Sequence, residues 1–190
     1  MIKRLSEKIA DKMSCEGIIQ SEDIAAYSYS IEITLATIIN FISIAVIAIL
    51  FGRFAEMIMF VIGFVPLRML KGGYHADTHL GCILILILCA TLLMLLIKFE
   101  LWFYSIPILI AATIYLFISQ GKNSNQLITE KKQKKFNMTA RVIIALYAVF
   151  CVIIALIWRF TPIIFALLYG VGIAGISLFV SKHIRKQITE

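Results

Sequence analysis

Charge is what this chain has least of. Only 15% of its 190 residues are Asp, Glu, Lys or Arg, while 61% are hydrophobic and the mean hydropathy is +0.95. That leaves too little polar surface to cover a water-soluble globule of this length, so the composition predicts an integral membrane protein. A cleavable signal peptide is also missing: residues 1–30 carry charges throughout and hold no compact apolar run followed by a small-residue cleavage site. The N-terminus is therefore expected to persist in the mature protein. No CxxC pair occurs among Cys15, Cys82, Cys89 and Cys151, and at least three of these lie in or beside apolar segments, which predicts reduced thiols rather than a disulfide framework. Repeats and low-complexity segments are absent too. Acidic residues are few, and the net charge is +7. This excess does not imply nucleic acid, because membrane proteins concentrate Lys and Arg in cytoplasmic loops for topological reasons.

What is present is a series of six apolar stretches, at 31–50, 54–70, 80–98, 101–119, 142–160 and 162–181. Each is near the ~20 residues a helix needs to cross the hydrocarbon core. The expected fold is an all-α polytopic membrane protein: one domain over 1–190, with an amphipathic segment at 1–30 and a six-helix bundle over 31–181. The connections differ sharply in charge. Lys3, Arg4, Lys8 and Lys12 precede the first span, Arg68 and Lys71 follow the second, six basic residues follow the fourth and three follow the sixth. Only Arg53, Lys98 and Arg159 occupy the opposite turns. A split of fifteen to three places both termini and the 75–82 connection on the cytoplasmic side of a multi-pass protein.

Before the first span, Ile2, Leu5, Ile9 and Met13 recur at helical spacing with charges on the other faces, predicting an amphipathic interfacial helix that ends near Gly17. Its role is either to shield the bundle or to guide a substrate. The connection at 120–141 reads as a basic cytoplasmic loop with a cluster at Lys131, Lys132, Lys134 and Lys135. That cluster can bind lipid headgroups or dock an acidic peptide. In the second span, Pro66 is expected to kink or end the helix before Arg68, with Gly63 a further interruption and a polar pocket near 66–75.

Chemistry concentrates at residues 68–82, RMLKGGYHADTHLGC. A thiol and an imidazole beside a flexible hinge at a membrane surface suggest a protease or acyl-transfer site. His75 and Cys82 on one continuous helix would lie about 10.5 Å apart along its axis. His75 can serve Cys82 only from a loop folded back over a helix that starts near residues 78–80, and Gly72 and Gly73 make such a loop accessible. Cys82 then falls in the first turn of the third span, where free backbone donors suit a thiolate and an oxyanion. Other readings stay open. His79, three residues from Cys82, is an alternative base; His75, Asp77, His79 and Cys82 have spacing that could hold a metal; and the other three can be headgroup-level polar residues around a buried Cys82 thiol. A scaffold or small transporter with a proton or metal relay is the alternative from another class. Glu32 and Asn40 are candidates to orient His75.

Arg68, then Gly72-Gly73-Tyr74-His75-Ala76, then Cys82 and an apolar helix, resembles the signature of accessory gene regulator B (AgrB), the membrane peptidase of peptide quorum sensing. The length, the basic amphipathic N-terminus, the six apolar segments and the lysine-rich connection are similar as well. The family's proline-rich stretch after the fourth span has no counterpart in residues 120–126. The resemblance implies a bacterial cell-membrane cysteine endopeptidase with Cys82 as nucleophile, His75 as general base, and Arg68, Gly72 and Gly73 in support. It implies an AgrD-like propeptide substrate with an acidic tail, cut and cyclised to a thiolactone or lactone; for such a tail the charge of Lys131, Lys132, Lys134 and Lys135 makes them the expected substrate-binding residues. No metal and no cofactor is expected. Membrane lipids are partners, a homodimer is left open, and no nucleic acid is expected.

Overall fold

A computed structural model describes residues 2–72, 79–121, 130–158 and 161–189. Among the described residues it contains seven α-helices: α1 (Ile2–Cys15), α2 (Ile24–Phe51), α3 (Phe54–Lys71), α4 (His79–Lys98), α5 (Trp102–Ile118), α6 (Glu130–Trp158) and α7 (Pro162–Thr189). A 3-10 turn, Ser21–Asp23, precedes α2. The last six helices coincide with the six apolar stretches. Four of them, α2, α4, α6 and α7, are long and apolar enough to cross a membrane. The other two fall short for different reasons: α5 has 17 residues, and α3 carries Glu56, Arg68 and Lys71 within its 18.

The amphipathic N-terminal segment forms α1, but α1 packs against the start of α2. The seam consists of small residues, Ser6 and Ala10, both fully buried. Ser6 Oγ donates to the Lys3 carbonyl at 2.8 Å and lies 3.4 Å from Ser28 Oγ, while Leu5 and Ile9 stay exposed. This contact is available because α2 starts at Ile24, before the apolar stretch begins. Its 28 residues span about 42 Å, against a hydrocarbon core of roughly 30 Å.

Two sequence expectations need correction. Of the two outcomes expected at Pro66, a kink or an end, the end does not occur, since α3 runs through it to Lys71. Proline removes the N–H that would bond the carbonyl four residues back, that of Ile62. Tyr147 of α6 supplies the missing donor: its hydroxyl bonds Ile62 O at 2.9 Å. A neighbouring helix thus satisfies the freed backbone group. The second correction concerns the basic loop at 120–141, whose residues from Glu130 onward are helical. The run EKKQKK consists of good helix formers without Gly or Pro, so the helix continues back from the apolar segment through the lysines.

The bundle is organised around α7, which is mostly buried, whereas α6 is mostly exposed. The most extensive packing joins α7 to α3 and then to α5. Gly63 of α3 faces Gly170 of α7; a Cβ at Gly63 would come within 2.6 Å of Leu167 O, and one at Gly170 within 2.5 Å of Phe60 O. Close backbone approach is what these glycines provide. Phe60, Phe64, Phe165, Tyr169 and Trp102 pack around that crossing.

Candidate functional site

The last turn of α3 carries Arg68, and the first turn of α4 carries Cys82. The described part of α4 begins at His79. Gly72 follows α3 with φ 71° and ψ −163°, a left-handed conformation that favours glycine, so the chain leaves the helix there.

Arg68 and Cys82 meet directly. Arg68 Nη2 donates to Cys82 Sγ at 3.2 Å, and the guanidinium lies over the Phe64 ring, 5.3 Å from its centroid. The ring steadies the cation by a cation–π contact. The half-buried, unpaired Cys82 thiol therefore sits under a fixed positive charge at a helix start. A guanidinium N–H aimed at sulfur is complementary to a thiolate and to negative charge developing on an adjacent carbonyl oxygen.

Gly73, His75 and Asp77 lie outside the described residues, as does the side chain of His79. The loop-back geometry of His75, the alternative base His79 and the four-residue metal set therefore all fall there. Lys131, Lys132, Lys134 and Lys135 are exposed on the first turns of α6. Two residues beyond them, Asn137 grips Gly121, accepting from its N–H at 3.0 Å and donating to its carbonyl at 3.2 Å. Gly121 in turn abuts the backbone of Lys71. Arg141 of α6 donates to Phe117 O at 3.1 Å and Ile118 O at 3.4 Å. The ends of α3 and α5 and the start of α6 thus gather at one end of the bundle. Of the two residues suggested to orient His75, Asn40 has a buried Oδ1 without a hydrogen-bond partner among the described residues.

Sequence reading placed Arg68 only as a supporting residue and Lys71 only as a topological charge. The first touches the sulfur, and the second is fully buried. Neither Gly121 nor Asn137 was singled out. A lysine immediately before a double glycine was the available signal for Lys71; nothing local marks the partners that receive it.

Comparison with known proteins agrees with the resemblance of the chain to the accessory gene regulator B family. The chain is similar to AgrB-like protein 2 of Clostridium perfringens (strain 13 / Type A), at 25% identity over 190 residues, covering 90% of this chain and 88% of the relative. It is also similar to an AgrB-like protein of Clostridium perfringens (strain SM101 / Type A), at 27% identity over 158 residues, covering 77% and 74%. No solved structure gives a significant match. The model of the family described as Accessory gene regulator B matches residues 6–180, and the chain belongs to that family.

Proposed function

We propose that this protein is a membrane cysteine endopeptidase and cyclase that removes the C-terminal tail of an AgrD-like propeptide. Family membership supports involvement in quorum-sensing peptide processing. The observation that carries the chemistry is the 3.2 Å hydrogen bond from Arg68 to Cys82 Sγ at the start of α4.

In this reading, Cys82 Sγ attacks the carbonyl carbon that joins the future signal to the tail. The C–N bond breaks, His75 delivers a proton to the departing amine, and a thioester to Cys82 remains. A Cys thiol within the same propeptide then attacks that thioester and gives its proton to His75. Cys82 leaves as the thiolate beside Arg68, and a thiolactone is released; a Ser hydroxyl in that role would give a lactone. Exchange of one thioester for another is nearly balanced, whereas hydrolysis is strongly downhill, so the site must exclude water. Holding nucleophile and electrophile in one bound chain raises their effective concentration.

The same proposal sets α2–α7 across the bacterial cell membrane with both termini, the site and the start of α6 in the cytoplasm. Lys131, Lys132, Lys134 and Lys135 then offer a field to an acidic tail.

The test is incubation of the purified protein with a synthetic amphipathic propeptide that has an internal Cys and an acidic tail, followed by intact mass spectrometry. Tail release and a peptide adduct on Cys82 are expected. Both should vanish in Cys82→Ala, and tail release should vanish in His75→Ala, while His79→Ala, Cys15→Ala, Cys89→Ala and Cys151→Ala cleave. Cleavage by Cys82→Ala would refute the mechanism, and an active His75→Ala beside an inactive His79→Ala would reassign the base.

A further inference from the structure

Lys71 is a fully buried lysine at the end of α3. Its Nζ donates to the carbonyls of Leu116, Phe117 and Ser119, the last two at 3.5 and 2.9 Å. These are carbonyls at the C-terminus of α5, where the helix leaves acceptors without intrahelical partners and presents the negative end of its dipole. A buried ammonium is costly unless it is hydrogen-bonded, and this end supplies the bonds. The backbone of the same residue is held from another direction. A Cβ on Gly121 would come within 2.6 Å of Lys71 Cα, so Gly121 lies directly against it, and Asn137 of α6 holds Gly121 by both its N–H and its carbonyl.

Terminal helical turns fray, since their last carbonyls lack intrahelical donors. Arg68 belongs to that last turn, three residues before Lys71, and Gly72 breaks the helix immediately afterwards. Left alone, the turn that aims the guanidinium at Cys82 would be the loosest part of α3. Lys71 pins it to α5, and Gly121 with Asn137 pins it to α6. We propose that Lys71 is a positioning residue for Cys82: it latches the last turn of α3 to the end of α5 and so holds Arg68 on the sulfur, with Asn137 closing the other side of the same latch. The significance of the latch rests on the proposed nucleophilic role of Cys82, but it can be read without any substrate.

The test uses full-length protein in lipid nanodiscs with Cys15→Ala, Cys89→Ala and Cys151→Ala, leaving Cys82 as the only thiol, and measures its alkylation by iodoacetamide at pH 7. Arg68→Gln should slow alkylation about tenfold, the order expected from losing one charge-assisted hydrogen bond. Lys71→Met should slow it by a similar factor, although Lys71 is not the group bonded to the sulfur. The double variant should be no slower than Arg68→Gln alone, because both changes remove one coupled interaction. Lys71→Arg, which keeps the donors, should recover part of the rate. Asn137→Ala should slow alkylation a fewfold, and it carries the test if Lys71→Met does not insert.

A role for Lys71 in helix capping alone predicts a lower melting temperature with Cys82 alkylated at the parent rate. That result in folded Lys71→Met, or in Asn137→Ala where Lys71→Met does not insert, overturns the proposal, as does full additivity with Arg68→Gln or an unchanged rate in Arg68→Gln itself. The propeptide assay separates the two readings. Coupled alkylation without any tail cleavage would leave the latch standing and remove the peptidase. Cleavage that depends on Cys82 but proceeds at full kcat in Lys71→Met would do the reverse.

Discussion

Removing the Tyr147 hydroxyl should destabilise this protein only because Pro66 is present. The phenol of Tyr147 donates to Ile62 O at 2.9 Å, the carbonyl that the proline four residues later leaves without its helical partner. Tyr147→Phe keeps the ring and its packing, so the change isolates one hydrogen bond. A carbonyl left unsatisfied away from water costs about 1–3 kcal/mol, while interhelical hydrogen bonds within bilayers average roughly 0.6 and reach about 1.7 kcal/mol. The expected loss is therefore about 1 kcal/mol, or a fall of roughly 2–4 °C in Tm for a chain of this size. In a Pro66→Ala background the alanine N–H can bond Ile62 O itself, and Tyr147→Phe should then cost close to nothing. The assay is thermal unfolding of the four proteins of this double-mutant cycle in one detergent or nanodisc preparation. An equal cost of Tyr147→Phe in both backgrounds would refute the reasoning, since the hydroxyl would then be stabilising something other than the orphaned carbonyl.

Three further outcomes are expected. Gly63→Ala places a Cβ 2.6 Å from Leu167 O and 3.3 Å from Val171 N; forcing α3 from α7 should cost about 1–3 kcal/mol, and a Tm equal to the parent's would show that the crossing yields easily. Neutralising Lys131, Lys132, Lys134 and Lys135 to Gln should raise KM for tail cleavage at low salt with little change in kcat, because contacts distant from the reacting carbonyl bind ground and transition states alike; an unchanged KM in correctly inserted protein removes the docking role. For topology, Ser124→Cys should be shielded from an impermeant thiol reagent in intact cells, and efficient labelling there would reverse the proposed orientation.

Much of the architecture is local and could be read directly. An apolar run of about 20 residues is a helix of bilayer length wherever it occurs, so six of the seven helices lie where the runs do. Cys82 lies in the first described turn of α4, beside the start of the third run, and the resemblance to the family was carried by a contiguous string around it. The lysine cluster was a local signal read the wrong way. Its charge suggested a loop, but Lys, Glu and Gln are helix formers, and propensity prevailed next to the apolar half of α6.

Composition, run length and motif by themselves determined that the chain is a helical membrane protein of this family, because each depends on neighbours in sequence. The rest required tertiary packing. Fourteen positions separate Arg68 from Cys82, forty-five separate Lys71 from Leu116, and eighty-five separate Tyr147 from Ile62. Each of these polar groups bonds a partner from another helix, and the packing of that helix decided which one. A buried donor bonds whichever acceptor packing brings within reach, and no periodicity within a single segment encodes that choice.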